Sequence, residues 1–173
     1  NFVKNIYAIE IDPLLCNYLK NKQIKNLTLY NKDILKWTPE KNIKIDKIIG
    51  NVPYNISSQI IFKFLELNIC NSLFFMLQKE LANRIVSKHG TKVYGRISVM
   101  VQTYYKVSQI YEISKNVFFP KPKVDSCILK FARIKRDEIN YKKFEHLIKE
   151  SFKQRRKKLK NNLNDIAKKN ILL

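Results

Sequence analysis

Cysteine, histidine and acidic side chains are all scarce in this sequence, and no apolar run is long enough to cross a bilayer. The three cysteines, Cys16, Cys70 and Cys127, are odd in number and far apart. They offer neither a disulfide framework nor closely spaced metal ligands. His89 and His146 are equally isolated. The expectation is therefore a reduced compartment and no metal, structural zinc included. The opening Asn1-Phe2-Val3-Lys4-Asn5 does not resemble a secretory signal, so secretion is not expected either.

The shortage of acid leaves a large basic excess. There are 34 Lys and Arg against 14 Asp and Glu, for a net charge of +20. Such a field draws RNA, DNA or an anionic membrane surface, raising encounter rates without choosing among them. The excess runs along the chain and is densest over 153–160, and a Lys- and Asn-rich genome is a second source for part of it. With 45% hydrophobic and 12% aromatic residues, the 173-residue chain has enough side chain for one folded domain and the start of a second.

Strands and helices alternate in the pattern. Ile6–Ile11 is rich in strand formers, and Pro13 then starts a helix through about Lys22. Leu27–Tyr30 is a second short strand, leading into Asn31-Lys32-Asp33. Ile43–Ile49 is a third, leading into Gly50-Asn51-Val52-Pro53-Tyr54. Strands that end in polar residues are the means by which an open α/β sheet presents ligand groups at its carboxyl edge. Ser57 or Ser58 is expected to cap a helix through about Leu67. A buried strand over Ser72–Leu77, a helix over Lys79–Val86, a turn at Gly90-Thr91-Lys92 and a helix containing Ile97–Val101 follow. Tyr104–Ile113 and Ser126–Arg133 then add a hairpin to the sheet. The prolines of Phe118-Phe119-Pro120-Lys121-Pro122-Lys123 exclude a regular helix or central strand there and make a rigid loop that can hold an aromatic in a cleft. Phe144, Leu147, Ile148, Ser151 and Phe152 share one helical face. Lys135-Arg136-Asp137-Glu138 marks a boundary, giving 1–134 as an α/β domain and 135–173 as the start of a helical one.

The Asn51-Val52-Pro53-Tyr54 loop suits a particular chemistry. The exocyclic nitrogen of adenine is a poor nucleophile because its lone pair is delocalised into the ring. The Asn51 carboxamide oxygen and a main-chain carbonyl, that of Val52, can accept its two N–H bonds and favour attack. Pro53 fixes the direction of that carbonyl, and Tyr54 offers a face for the base. A plain turn with Tyr54 in the core explains the same four residues. Glu10 and Asp33 likewise read either as cap and strand end, or as carboxylates that accept bonds from a cofactor's ribose and adenine amino group.

Seven segments in order make the chain resemble the small-subunit ribosomal RNA adenine N6,N6-dimethyltransferases, bacterial or organellar in type. They are Tyr7–Asp12, Asn31–Leu35, Asn51–Ser57, Met76–Glu80, Tyr94–Val99, Phe118–Ser126 and Gln154–Lys157. The resemblance implies a class I S-adenosylmethionine-dependent methyltransferase fold, Rossmann-like. It implies S-adenosylmethionine as cofactor, leaving as S-adenosylhomocysteine, with no metal. Glu10 and Asp33 would bind the cofactor's ribose and adenine. Asn51, also near the cofactor, would orient the target amine together with the Val52 carbonyl and Pro53. Tyr54 and Phe118, rather than Phe119, would cover the two faces of the target base.

On the same resemblance Arg96, Lys121, Lys123, Arg155, Arg156 and Lys157 would contact RNA. For Arg96 a salt bridge that holds the fold is an equal alternative, and for Arg155-Arg156-Lys157 an exposed helix face is. The implied partner is small-subunit ribosomal RNA in a pre-ribosomal particle, met by a monomer in the bacterial cytoplasm or an organellar matrix, with no membrane. Two departures stand out. None of the nine residues before Glu10 is glycine, where the family has a glycine-rich loop, and the helical domain ends early, so a partial chain is expected. The competing assignments are a large-subunit ribosomal RNA adenine methyltransferase, a DNA adenine methyltransferase, and a non-catalytic RNA-binding assembly factor or organellar transcription factor.

Overall fold

Two parallel strands and the helix that crosses between them organise the first part of the chain. The computed structural model of the protein describes residues 3–40, 43–135, 139–154 and 157–168. Its contacts divide the chain into two units, Asn1–Ile43 and Lys44–Leu173. In the first, β1 (Ile6–Glu10), α1 (Pro13–Asn21) and β2 (Leu27–Asn31) form a β-α-β unit in which Ile6 lies opposite Leu27 and Glu10 opposite Asn31. The helix begins where it does because the Asp12 carboxylate accepts the Leu14 N–H at 2.8 Å and Pro13 has no N–H left to satisfy. Among the described residues of this unit, Cys16 and Trp37 are the buried apolar side chains.

The second unit contains β3 (Lys47–Asn51), α2 (Ser57–Leu67), β4 (Ser72–Gln78), α3 (Lys79–Val86), α4 (Arg96–Tyr104), β5 (Tyr105–Ile113), β6 (Ser126–Arg133), α5 (Tyr141–Ser151) and α6 (Leu159–Lys168). Its sheet runs β3-β4-β6-β5, with β3 and β4 parallel and β6 antiparallel to both neighbours. The late strand β6 is thus inserted between β4 and β5, where Cys127, Leu129 and Phe131 are wholly buried. Strict alternation in β4 sends Leu73, Phe75 and Leu77 to the core. Phe75 and Tyr105 both meet the Phe131 ring edge-on, at 5.7 and 6.2 Å.

Two expectations shift. The third strand is Lys47–Asn51 rather than Ile43–Ile49, because pairing with β4 begins at Lys47 opposite Ser72. Alternation of Ile and Lys upstream satisfies strand propensity but has no partner strand to bond. Ser57 does not cap α2: its hydroxyl donates to the Pro53 carbonyl at 2.9 Å, and no side-chain cap is made. The helix ends at Asn68, which takes the left-handed conformation (φ 52°) common at such ends. Contacts divide the chain at 43/44, and α5 packs on α4. The Tyr104 ring lies 6.1 Å from those of Tyr141 and Phe144, both on α5. Residues 136–138 of the expected boundary lie outside the described residues.

Among the described residues no helix is long and apolar enough to cross a membrane.

Candidate active site

In the first unit, Glu10 and Asp33 follow from the ends of two adjacent parallel strands. Glu10 closes β1, and its Oε1 accepts the Asp12 N–H at 2.9 Å. The Asn31 carboxamide, at the end of β2, donates to the carbonyls of Glu10 and Ile11 at 3.0 and 3.1 Å, fixing the chain as it leaves the strand. Asp33 Oδ1 accepts the Leu35 N–H at 2.8 Å, while its carbonyl receives the N–H groups of Lys36 and Trp37. Both acids are half-buried. A carboxylate has about four lone-pair sites, so each retains acceptor capacity beyond these local bonds. That capacity fits the hydroxyls of a ribose and the amino group of a purine, so the residues present suit the expected cofactor.

In the second unit, β3 delivers Asn51 to the edge of a cavity of about 320 Å³. Gly50 precedes it where a Cβ would lie 3.2 Å from the Phe75 ring and 3.3 Å from a Val52 methyl, so the strand runs tight against the core. Val52 is buried, and its N–H reaches the Met76 carbonyl at 3.4 Å. The Pro53 carbonyl is occupied twice, by the Ile56 N–H at 3.2 Å and the Ser57 hydroxyl at 2.9 Å. The Val52 carbonyl and the Asn51 carboxamide, by contrast, meet no donor or acceptor among the described residues. The loop therefore presents two oxygens that are free to accept, the arrangement an amine with two N–H bonds requires.

Two chain segments line the cavity with Met76: Asn51, Val52, Pro53 and Tyr54 from one, Phe118, Pro120 and Pro122 from the other. Phe118 is half-buried in that lining, while Phe119 is fully exposed. The loop carrying them is pinned at both ends: Asp125 Oδ1 accepts the Lys115 N–H at 2.9 Å, and the Asp125 carbonyl accepts the Lys79 N–H at 3.0 Å. The Tyr54 hydroxyl and the Ser126 hydroxyl are hydrogen-bonded at 2.7 Å.

The basic residues are placed differently from one another. Lys121 and Lys123 are exposed on the cavity loop. Arg96 is engaged within the protein: it pairs with Glu145 at 2.5 Å, and its guanidinium lies 4.9 Å from the centre of the Phe62 ring. The salt bridge, one of the two readings of Arg96, is present. Lys157 is exposed beside a hollow of about 370 Å³ between α5 and α6. Arg155 and Arg156 lie outside the described residues. Among the described residues no three His, Cys, Asp or Glu side chains group as metal ligands.

Met76 and Ser126 belong to the site or its support without having been given a role from the sequence, whereas Pro120 and Pro122 lie in the loop expected to hold an aromatic. Met76 enters because it sits opposite Asn51 in the β3–β4 register. Only strand pairing reveals that; the alternation of β4 gives no more than which face Met76 occupies.

The fold matches that of a dimethyladenosine transferase from Plasmodium falciparum with a TM-score of 0.80 and 27% identity, over 96% of this chain and 62% of that one. It matches the 23S rRNA methyltransferase ErmE with a TM-score of 0.70 and 24% identity, over 93% of this chain and 66% of that one, a likeness of fold alone. A Listeria monocytogenes structure assigned to the class I S-adenosylmethionine-dependent methyltransferases shares the fold at a TM-score of 0.55 and 16% identity, over 78% of this chain and 46% of that one. The fold is thus that of the class I S-adenosylmethionine-dependent methyltransferases. More narrowly, the model of the family described as ribosomal RNA adenine dimethylase matches residues 1–173, and the chain belongs to that family. It is 42% identical, over 90% of its length, to the ribosomal RNA small subunit methyltransferase A of Borreliella burgdorferi. The chain spans 56% of the length of that relative, and 66% of the corresponding protein of Francisella tularensis.

Proposed function

We propose that the full-length gene product transfers methyl groups to the exocyclic N6 of adenine in small-subunit ribosomal RNA, twice per base, and so takes part in ribosome maturation. The observation that carries this reading is the pair of unoccupied acceptors, the Asn51 carboxamide oxygen and the Val52 carbonyl, beside a cavity walled by Tyr54 and Phe118.

S-adenosylmethionine, when bound, supplies an electrophilic methyl group and departs as S-adenosylhomocysteine. Glu10 and Asp33 would hold its ribose and adenine through carboxylate oxygens that remain free to accept. Asn51 and Val52 accept the two N–H bonds of the target amine, holding its lone pair out of conjugation and stabilising the positive charge that develops on nitrogen as it attacks. Tyr54 and Phe118 restrain the ring that has left its stack. Lys121 and Lys123 lie on the loop that carries Phe118 and would position the RNA backbone. The proposed setting is a pre-ribosomal particle, in a bacterial cytoplasm or an organellar matrix, with the protein acting as a monomer.

Support for the small rather than the large subunit comes from the names of the 42% and 43% identical relatives and from the Tyr94-Gly95-Arg96 and Phe118–Ser126 segments. The test is methyl transfer by the full-length gene product to separated ribosomal subunits. Label confined to small-subunit RNA, at N6 of adenine, is the expected result. Label confined to large-subunit RNA would replace the substrate, and tight RNA binding without transfer would make the protein a binding factor.

A further inference from the structure

We infer that Ser126 is a positioning residue for methyl transfer, acting through the Tyr54 ring as a clasp between the two chain segments that line the cavity. This rests on the reading of the cavity as an adenine site. Ser126 lies outside the cavity lining and is wholly buried at the first position of β6, next to the loop that carries Phe118. Seventy-two residues earlier in the chain, Tyr54 lines the cavity from the amine-binding loop. The 2.7 Å bond between their hydroxyls is the side-chain hydrogen bond that joins the amine-binding loop to the end of the aromatic loop.

Two consequences follow from that bond. Tyr54 spends its hydroxyl on Ser126, so what it offers a base is the face of its ring. A ring tethered at its para position has a fixed tilt, whereas an untethered tyrosine at a half-exposed site samples several. The backbone of Ser126 is itself held on both sides, opposite Gln78 of β4 and Ile113 of β5, so the anchor does not move with the loop. The gap into which a flat base slides is therefore set from the sheet.

The bond also has unequal ends. Removing the Tyr54 hydroxyl strands the Ser126 hydroxyl in the core, whereas removing the Ser126 hydroxyl leaves that of Tyr54 at a half-exposed site where water can replace it. Tyr54→Phe should consequently lose more stability than Ser126→Ala, and adding Ser126→Ala to Tyr54→Phe should restore part of the loss.

The experiment compares the full-length gene product with its Ser126→Ala, Tyr54→Phe and doubly substituted forms. It measures urea unfolding, single-turnover methyl transfer, and the fluorescence of a small-subunit RNA fragment carrying 2-aminopurine in place of the target adenine. Each single substitution is expected to slow transfer roughly fivefold and to weaken quenching of the bound 2-aminopurine, with little change in RNA affinity. The double variant should be no slower than the slower single one. Losses that multiply in the double variant, a loss in only one of the single variants, or unchanged transfer and quenching in both would overturn the clasp. An unsubstituted protein that transfers no methyl group would overturn the adenine-site reading itself, and the inference with it.

Discussion

Arg96, at the start of α4, is bound to Glu145 of α5 while its guanidinium lies over the Phe62 ring of α2, so one side chain joins three helices. Both partners of the ion pair are about one-third exposed, at 34% and 33%, which keeps the pair itself modest, and the stacking adds to it. Arg96→Ala should lower unfolding free energy by about 1–2 kcal/mol. Arg96→Lys should recover little of that, since a lysine cannot stack as a plane. Urea midpoints measure both. Unchanged midpoints with weakened RNA binding would move the guanidinium's role to the nucleic acid.

Asn51 is exposed, at the last position of β3, and its carboxamide makes no hydrogen bond to a described residue. Its replacement should therefore leave folding intact and remove an interaction made in the transition state. Asn51→Ala is expected to slow single-turnover transfer about a hundredfold with an unchanged thermal midpoint. Transfer at the unsubstituted rate would exclude the assigned role.

Lys121 and Lys123 flank Pro122, a cavity residue, and both are exposed. If each meets one phosphate of an unpaired strand, Lys121→Gln with Lys123→Gln should flatten the dependence of log affinity on log salt by roughly 1.4. The weakening should be similar for fragments of different sequence, because such contacts carry no base information. A slope equal to that of the unsubstituted protein would put the RNA elsewhere.

Burial pushes the Tyr105 phenol up to about 12 from an ordinary 10.0, and its hydroxyl donates to the Cys70 carbonyl at 3.2 Å. Burial raises the Tyr104 and Tyr141 phenols too. Because the unfolded chain releases these protons first, stability is fully present below pH 10 and falls as pH rises from there toward about 12. Urea midpoints across this range should decline, and Tyr105→Phe should make the decline shallower while lowering stability at neutral pH. An identical alkaline slope in the two proteins would contradict the assignment to Tyr105.

Much of the fold is written locally. Pro13 after Asp12 sets the start of α1, and the continuous apolar run Leu73–Leu77 marks a buried strand before any partner is known. The insertion of β6 between β4 and β5 is not local, since nothing within Ser126–Arg133 states which strands it joins. The start of β3 is hidden for the same reason: Ile43–Ile49 alternates well, yet pairing begins at Lys47.

The sequence by itself determined the Asn51-Val52-Pro53-Tyr54 loop, the order of the family segments around it, and the choice of Phe118 as the aromatic expected at the base. Short-range chemistry is enough for the loop, because its geometry and residue types lie next to each other in the chain, while the choice of Phe118 rests on the resemblance to the family. Only the tertiary structure decided that Arg96 is turned to Glu145 and that Ser126 holds Tyr54. Each depends on a partner 49 or 72 residues away brought within hydrogen-bonding distance by packing, and no periodicity in the sequence encodes which donor reaches which acceptor.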